Sequence, residues 1–180
     1  MTSNKSNDQM VSKIEAAERL LQTAVDLFFD NKDMLAIHAL SSAAHEVLHA
    51  ILKTQNRRVS LMKDNPSIRP EKAKEYHNVI HYTQNFLKHG AKDPNAAMKY
   101  DQDETSMWLF DAIQMYGQLT GNVKFKKFGI YSMWFHLQHK DLLSDEFVAS
   151  FPSLDVIDSQ YVKDNYKALL IKVTWPRELI

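Results

Sequence analysis

Apolar side chains return every three or four positions through most of this 180-residue chain, first at Ile14, Ala17, Leu21, Ala24 and Phe28. This spacing matches one face of an α-helix, which turns once in about 3.6 residues. Only four glycines and five prolines occur, and no pair of segments has the alternation of neighbouring strands. The sequence predicts an all-α fold, a helical bundle of about five to seven helices in one domain over residues 1–180, with 1–8 as a flexible tail.

The periodic segments predict helices over residues 9–30, 34–54, 70–89, 104–119 and 124–139, a short helix over 144–150 and a helical tail over 153–173. Between Met34 and Leu52 the one formally charged side chain is Glu46. A helix so poor in charge is expected to be covered on more than one side. We therefore predict a central layer made of the first three helices, with the aromatic helix around Trp134 packed against it. Gly90 is predicted to cap the third helix.

The composition limits the classes of function. The 22 basic residues balance the 22 acidic ones, so binding to nucleic acid or to an anionic membrane needs a local patch. The chain has no cysteine, which excludes a disulfide scaffold, a thiolate zinc site and a cysteine nucleophile. The polar N-terminus lacks the apolar stretch of a signal peptide, and we expect no run that approaches the roughly 20 apolar residues of a membrane span. The expected location is cytoplasmic, with no membrane partner.

The second helix contains His45-Glu46-Val47-Leu48-His49, which matches the HExxH pattern. Two histidines four residues apart share a helix face and can bind one Zn²⁺, while Glu46 deprotonates the metal-bound water. Over these five residues the chain resembles gluzincin-type metallopeptidases, which implies a zinc-dependent hydrolase. The third histidine of the longer motif is absent, and the segment upstream is predicted to be helical. The alternative interpretation is a chance match in a structural helix.

Further histidines extend this pattern. His38 lies within about 20° of the line through His45 and His49, at 100° per residue. It is a third candidate zinc ligand. His77 and His81 share a face of the third helix, so the imidazoles would converge if the two faces met. Such a cluster would be a metal site, a pH-sensitive group, or a set of half-buried histidines with protein partners.

The third helix ends in Gln84-Asn85-Phe86-Leu87-Lys88-His89, followed by Gly90-Ala91-Lys92-Asp93-Pro94. This segment, with the paired helices before it, resembles the HEPN superfamily, small helical bundles that often dimerise. Many are metal-independent RNases with an Arg, a polar residue and a His. The stretch from Asn85 to Pro94 also resembles a motif of uncharacterised small bacterial helical proteins.

Asn85 and His89 match the HEPN pattern, whereas Gln84 stands at the Arg position. The resemblance implies a homodimer and an association with RNA. Because Gln84 supplies no charge, it implies weak or absent cleavage rather than strong catalysis at Asn85 and His89. The alternative is structural, since a histidine at a helix C-terminus is favoured by the dipole.

Two hypotheses follow. The first is a helical binding or interaction protein, distantly HEPN-like, associated with a protein or RNA partner and without a cofactor. The second is a zinc-dependent hydrolase that uses His45, Glu46 and His49. The run Lys124-Phe125-Lys126-Lys127-Phe128 interleaves bases with aromatics, and we interpret it as the start of an amphipathic helix with both phenylalanines in the core.

Overall fold

The computed structural model describes residues 8–57, 60–121, 125–146 and 157–172. Within these ranges it has no strand and eight α-helices, so the all-α prediction is confirmed and the helix number is slightly higher than expected. The helices are α1 Lys13–Phe29, α2 Met34–Thr54, α3 Ala73–Ile80, α4 Tyr82–Lys88, α5 Gln102–Thr120, α6 Lys126–Gln138, α7 Ser159–Asp164 and α8 Tyr166–Lys172. The predicted tail 1–8, apart from Asp8, lies outside the described residues, as does most of the predicted helix 144–150.

Side-chain caps set the starts of the long helices. The Ser12 hydroxyl accepts a hydrogen bond from the Glu15 N–H at 3.1 Å, where α1 begins. The Asp33 carboxylate accepts one from the Ala36 N–H at 2.9 Å, where α2 begins. These caps bind N–H groups that have no partner inside the helix. The helix α5 ends at Gly121, whose φ of 72° suits a residue without a Cβ.

The core is built around α2, which packs against both α1 and α5. Ile37, Ala44, Leu48 and Leu52 of α2 are completely buried, as predicted for a central helix. The predicted central layer is wrong in one member, because α5 and not the third helix completes it. The reason is burial: α5 contributes ten buried residues, whereas α3 and α4, which replace the predicted third helix, contribute only Ile80, Thr83 and Gln84.

The aromatic helix α6 packs against α1 and α5. Phe128 is fully buried and Phe125 packs at the edge of the core, which agrees with the interpretation of the Lys-Phe run as an amphipathic helix start. The prediction that no run approaches a membrane span is wrong for α2, which is long and apolar enough by length and composition alone, and 44% of its apolar stretch is buried inside the protein. The core helix of a soluble protein meets the same criterion.

The predicted third helix is not continuous. It divides at His81, which ends α3 with φ −97° and ψ 7° and precedes α4. Gly90 does not adopt the left-handed conformation typical of a glycine cap. The helix α4 ends at Lys88, and the residue that caps it is His89, with φ −114° and ψ 43°. The predicted tail helix is likewise divided at Asn165, whose side-chain amide donates to the Tyr161 carbonyl at 2.9 Å.

Candidate functional site

Asp111 of α5 is the centre of a buried hydrogen-bond network beneath the HEVLH segment. Its carboxylate is 1% exposed and accepts from His45 Nε2 at 2.9 Å and from the Ser60 hydroxyl at 2.7 Å. It also accepts from the backbone N–H groups of Leu61 at 2.9 Å and Met62 at 3.2 Å. We call these five residues the Asp111 network. The network ties the loop after α2 to both α2 and α5.

Protonation within the network follows from burial. Burial lowers the pKa of His45, and this outweighs the opposite effect of Asp111. Burial opposes ionisation of Asp111, but the hydrogen bonds from His45 and Ser60 keep its pKa below the ordinary value. A neutral His45 therefore donates its Nε2–H to an ionised Asp111. The other ring nitrogen, Nδ1, has no hydrogen-bond partner among the described residues.

Ser60, His45 and Asp111 are the residue types of a catalytic triad, but their geometry is different. A triad needs His Nε2 on the serine and Nδ1–H on the carboxylate. Here the Ser60 hydroxyl lies 3.3 Å from the same Nε2 that bonds Asp111, and it bonds Asp111 directly. Ser60 is also 3% exposed, so a substrate has no access to it. The arrangement holds the loop and does not activate a nucleophile.

The other two polar residues of the HEVLH segment hold the same loop. Glu46 pairs with Lys63 Nζ at 2.5 Å, and the Lys63 side chain is 7% exposed. His49 Nε2 lies 3.2 Å from Asp64 Oδ1. Burial raises the pKa of Glu46, yet the bond and charge of Lys63 bring it below the usual value. The motif thus acts as an anchor for the loop in this structure.

The candidate zinc ligands all have protein partners at one ring nitrogen. His38 Nδ1 lies 3.1 Å from the Thr105 hydroxyl, and burial lowers the His38 pKa to about 4. His45 and His49 stack at 6.1 Å but bond different carboxylates. In the part of the chain that the structure describes, no group of three or more His, Cys, Asp or Glu side chains could hold a metal ion.

The histidine stripes of the two helical segments meet at Trp108, a fully buried residue of α5. Its ring centroid lies 6.0 Å from that of His38, 4.5 Å from that of His45 and 5.4 Å from that of His81. His77 stacks on His81 at 6.0 Å. Three of the five histidines, His38, His45 and His81, are therefore packed around one aromatic side chain.

The contacts of His81 explain why the predicted third helix is divided into α3 and α4. Its Nδ1 lies 2.9 Å from the Gln84 side-chain oxygen and 3.8 Å from a Glu46 oxygen, while its ring packs on Trp108. These contacts turn the residue toward α2 and α5 between two short helices. Burial lowers the His81 pKa, with the Lys63 charge acting in the same direction.

The C-terminal end of α4 borders an open cleft of about 520 Å³. Its lining residues come from α4 and the loop after it: Tyr82, Asn85, Phe86, His89, Gly90, Lys92, Asp93, Pro94 and Ala96. Tyr82 is 52% exposed and Phe86 is 37% exposed, although both are large apolar side chains. We call this region the α4 cleft. It brings together Asn85 and His89, the two residues that match the HEPN pattern.

Gln84, at the Arg position of that pattern, does not line the cleft. It is 3% exposed and accepts from His81 inside the protein. The side chain of Gln84 therefore lies in the interior, whereas Asn85 and His89 line the cleft.

A second groove, of about 420 Å³, shares Tyr82 with the α4 cleft. It is lined by Glu75, Asn78, Val79, Tyr82, Thr83, Lys99, Asp101 and Glu104. We call it the acidic groove. Glu104 accepts from the Thr83 hydroxyl and from the Trp108 indole N–H, both at 3.2 Å, and burial raises its pKa.

The sequence patterns do not identify Asp111 and Ser60 as partners of His45, or Trp108 as the side chain on which three histidines pack. One signal was present for Asp111, a carboxylate between Phe110 and Ala112 on an otherwise apolar helix face. Such a buried charge requires partners. Comparisons with family models, with curated proteins and with solved structures give no match to this chain. We therefore infer function from the geometry of the α4 cleft.

Proposed function

We propose that this protein binds single-stranded RNA in the α4 cleft without cleaving it. The observation behind the proposal is that two exposed aromatic rings, Tyr82 and Phe86, line one cleft with Asn85, His89 and Lys92. Unpaired bases stack on aromatic side chains, and side-chain amides bond their polar edges. Lys92 is suited to a phosphate between them, although Asp93 lines the same cleft and offsets its charge, so stacking supplies most of the expected affinity. An open cleft fits a ligand that extends along the surface.

The absence of cleavage follows from Gln84. Phosphodiester cleavage develops negative charge on the phosphate, which a guanidinium stabilises. Gln84 is uncharged, buried and bonded to His81. His89 therefore faces the cleft without the arginine of the HEPN pattern. This supports the binding function over the nuclease function.

The charge of the protein sets the expected strength of binding. Net charge is zero, so attraction to RNA comes from the cleft itself. Lys92 lines the cleft, and Lys88 is exposed in the last turn of α4. Contacts to two phosphates give a slope of about −1.4 for log K against log salt concentration. We expect a modest affinity with this shallow salt dependence. The homodimer that the HEPN resemblance implies is tested by the mass in solution.

Fluorescence anisotropy with labelled single-stranded RNA of about 10 nucleotides tests the proposal. Removing Tyr82 or Phe86 by substitution with alanine should weaken binding at least about 5-fold, because stacking contributes about 1–3 kcal/mol per base. Tyr161→Ala is the matched control, since Tyr161 is 48% exposed on α7 and is not among the residues lining the cleft. No binding by the wild type, or equal loss in the control, would contradict the proposal. Intact RNA after incubation with wild type and His89→Ala is the expected cleavage result.

A further inference from the structure

Asp93 is an unexpected residue in the cleft that we assign to RNA. It lines the α4 cleft beside Lys92, and its negative charge repels a phosphate. The Asp93 carboxylate makes no hydrogen bond or ion pair with any residue that the structure describes. Within the same described residues, the side-chain amide of Asn85 also has no partner. Both side chains are exposed, so both are available to a ligand in the cleft.

Two hydrogen-bonded turns follow α4 and position Asp93. The Lys92 N–H donates to the His89 carbonyl at 2.9 Å, and the Ala96 N–H donates to the Asp93 carbonyl at 3.0 Å. Pro94 follows Asp93 in the second turn, where the proline ring restricts the backbone angle φ. The chain therefore reverses directly after α4, and Asp93 lines the same cleft as the residues of that helix.

A carboxylate selects among the bases by their hydrogen-bond donors. It is an acceptor only, and its two oxygens can accept two bonds side by side. Guanine presents two neighbouring donors, N1–H and N2–H, on its Watson–Crick edge, which proteins read in unpaired bases. Adenine and cytosine present one amino group beside an acceptor nitrogen, and uracil presents one N–H between two carbonyl oxygens. In these three bases a carboxylate oxygen would face an acceptor and be repelled.

The Asn85 amide complements the remaining group of the guanine edge. Beside N1–H, guanine carries the O6 carbonyl, which is an acceptor, and the NH2 group of an amide is a donor. Asn85 lies three residues after Tyr82 and one before Phe86, and all three side chains line the cleft. A base that stacks on one of these rings therefore has polar side chains of both kinds, donor and acceptor, in the same cleft.

We infer that the α4 cleft prefers guanine among the four RNA bases and that Asp93 determines this preference. The Asp93 carboxylate accepts from N1–H and N2–H, the Asn85 amide donates to O6, and the base stacks on an aromatic ring of the cleft. This inference rests on the proposed RNA binding and adds which base is bound. It also accounts for a carboxylate that phosphate binding does not require.

Fluorescence anisotropy with four labelled RNAs of about 10 nucleotides tests the inference. Each is a run of uridines with guanosine, inosine, adenosine or uridine at the central position. The guanosine RNA should bind about 10-fold more tightly than the adenosine and all-uridine RNAs, a discrimination within the range of a bidentate contact. Inosine lacks the N2 amino group, so its RNA should bind about 3-fold less tightly than the guanosine RNA. If all four bind equally, the inference fails and the proposed function stands, whereas if none binds, the proposed function itself fails.

The variant Asp93→Asn tests the role of the carboxylate. Asparagine keeps the size of the side chain but replaces one acceptor oxygen with a donor. The preference for guanosine over uridine should fall from about 10-fold to less than about 3-fold, while the all-uridine RNA binds as before or slightly more tightly. Asp103→Asn is the control and should keep the preference, because Asp103 is exposed on α5 and is not among the residues lining the cleft. An unchanged preference in Asp93→Asn, or equal binding of the inosine and guanosine RNAs by the wild type, would overturn the inference.

Discussion

The buried carboxylate of Asp111 accepts four hydrogen bonds. Two side chains and two backbone N–H groups from separate parts of the chain donate to it. Asp111→Ala would leave these donors buried without an acceptor, and we expect it to lower the free energy of unfolding by about 3–5 kcal/mol. Urea denaturation followed by circular dichroism measures this loss.

Asp103→Ala is the control for Asp111, because Asp103 is exposed on the first turn of the same helix. We expect it to cost less than about 1 kcal/mol, from the helix dipole alone. A similar small cost for Asp111→Ala would show that the loop is held by other contacts.

Glu46 distinguishes the two interpretations of the HEVLH segment. If the segment anchors the loop, Glu46→Gln removes the partner of the nearly buried Lys63 and lowers the free energy of unfolding by about 1 kcal/mol or more. We also expect a chelator to leave the melting temperature unchanged. Elemental analysis of untagged protein is the decisive measurement. Near-stoichiometric zinc would contradict the anchor interpretation and favour the zinc-dependent hydrolase that uses His45, Glu46 and His49.

At the scale of elements, local patterns predicted which segments are helical but not where tertiary contacts divide them. The segment 70–89 has one continuous helical spacing, so the sequence predicts one helix. The division at His81 depends on its contacts with Trp108 and Glu46, which are distant in sequence. For the same reason, spacing identified His45 and His49 but not Asp111, which is 66 residues from His45.

Gln84 tests whether the HEPN pattern can be completed within α4. Gln84→Arg restores the residue type of the pattern, but at a position that is 3% exposed and bonded to His81. We expect the variant to lose about 2 kcal/mol or more of stability, because it places a larger, charged group in the interior. We also expect no RNA cleavage, since the side chain starts away from the cleft. Cleavage that depends on His89 would contradict the structural separation of the two residues.

For the whole molecule, the fold class was predictable because helical periodicity is a local property of the sequence. The composition of the central layer was not, because it depends on which apolar faces meet. The charge-poor α2 was correctly placed at the centre, since a helix with so little charge needs cover on several sides. The partner that provides this cover is α5, and α3 and α4 instead expose Val79, Tyr82, Phe86 and Leu87. Of these, Tyr82 and Phe86 line the α4 cleft, and Val79 lines the neighbouring acidic groove.

Stability of the whole protein should fall in mild acid because of its buried histidines. The folded-state pKa of His38 is about 4, below the ordinary value of 6.5, because burial disfavours the charged ring. Between pH 6.5 and pH 4, His38 therefore binds a proton in the unfolded chain but not in the folded protein. The contribution of neutral His38 is fully present above pH 6.5 and is lost as the pH falls toward 4. Burial lowers the pKa values of His45, His81 and His136 in the same direction.

His38→Gln isolates this contribution, since glutamine keeps a polar side chain beside Thr105 without a titrating ring. Between about pH 6 and pH 4.5, the slope of the unfolding free energy against pH should fall by up to about 1.4 kcal/mol per unit, the value for one proton. Asn85→Ala, which removes an exposed side chain that does not titrate, is the control and should keep the wild-type slope. Urea denaturation at intervals of pH measures all three proteins. Equal slopes in wild type and His38→Gln would show that the folded protein accepts the proton on His38, and that the interior around Trp108 tolerates a charge.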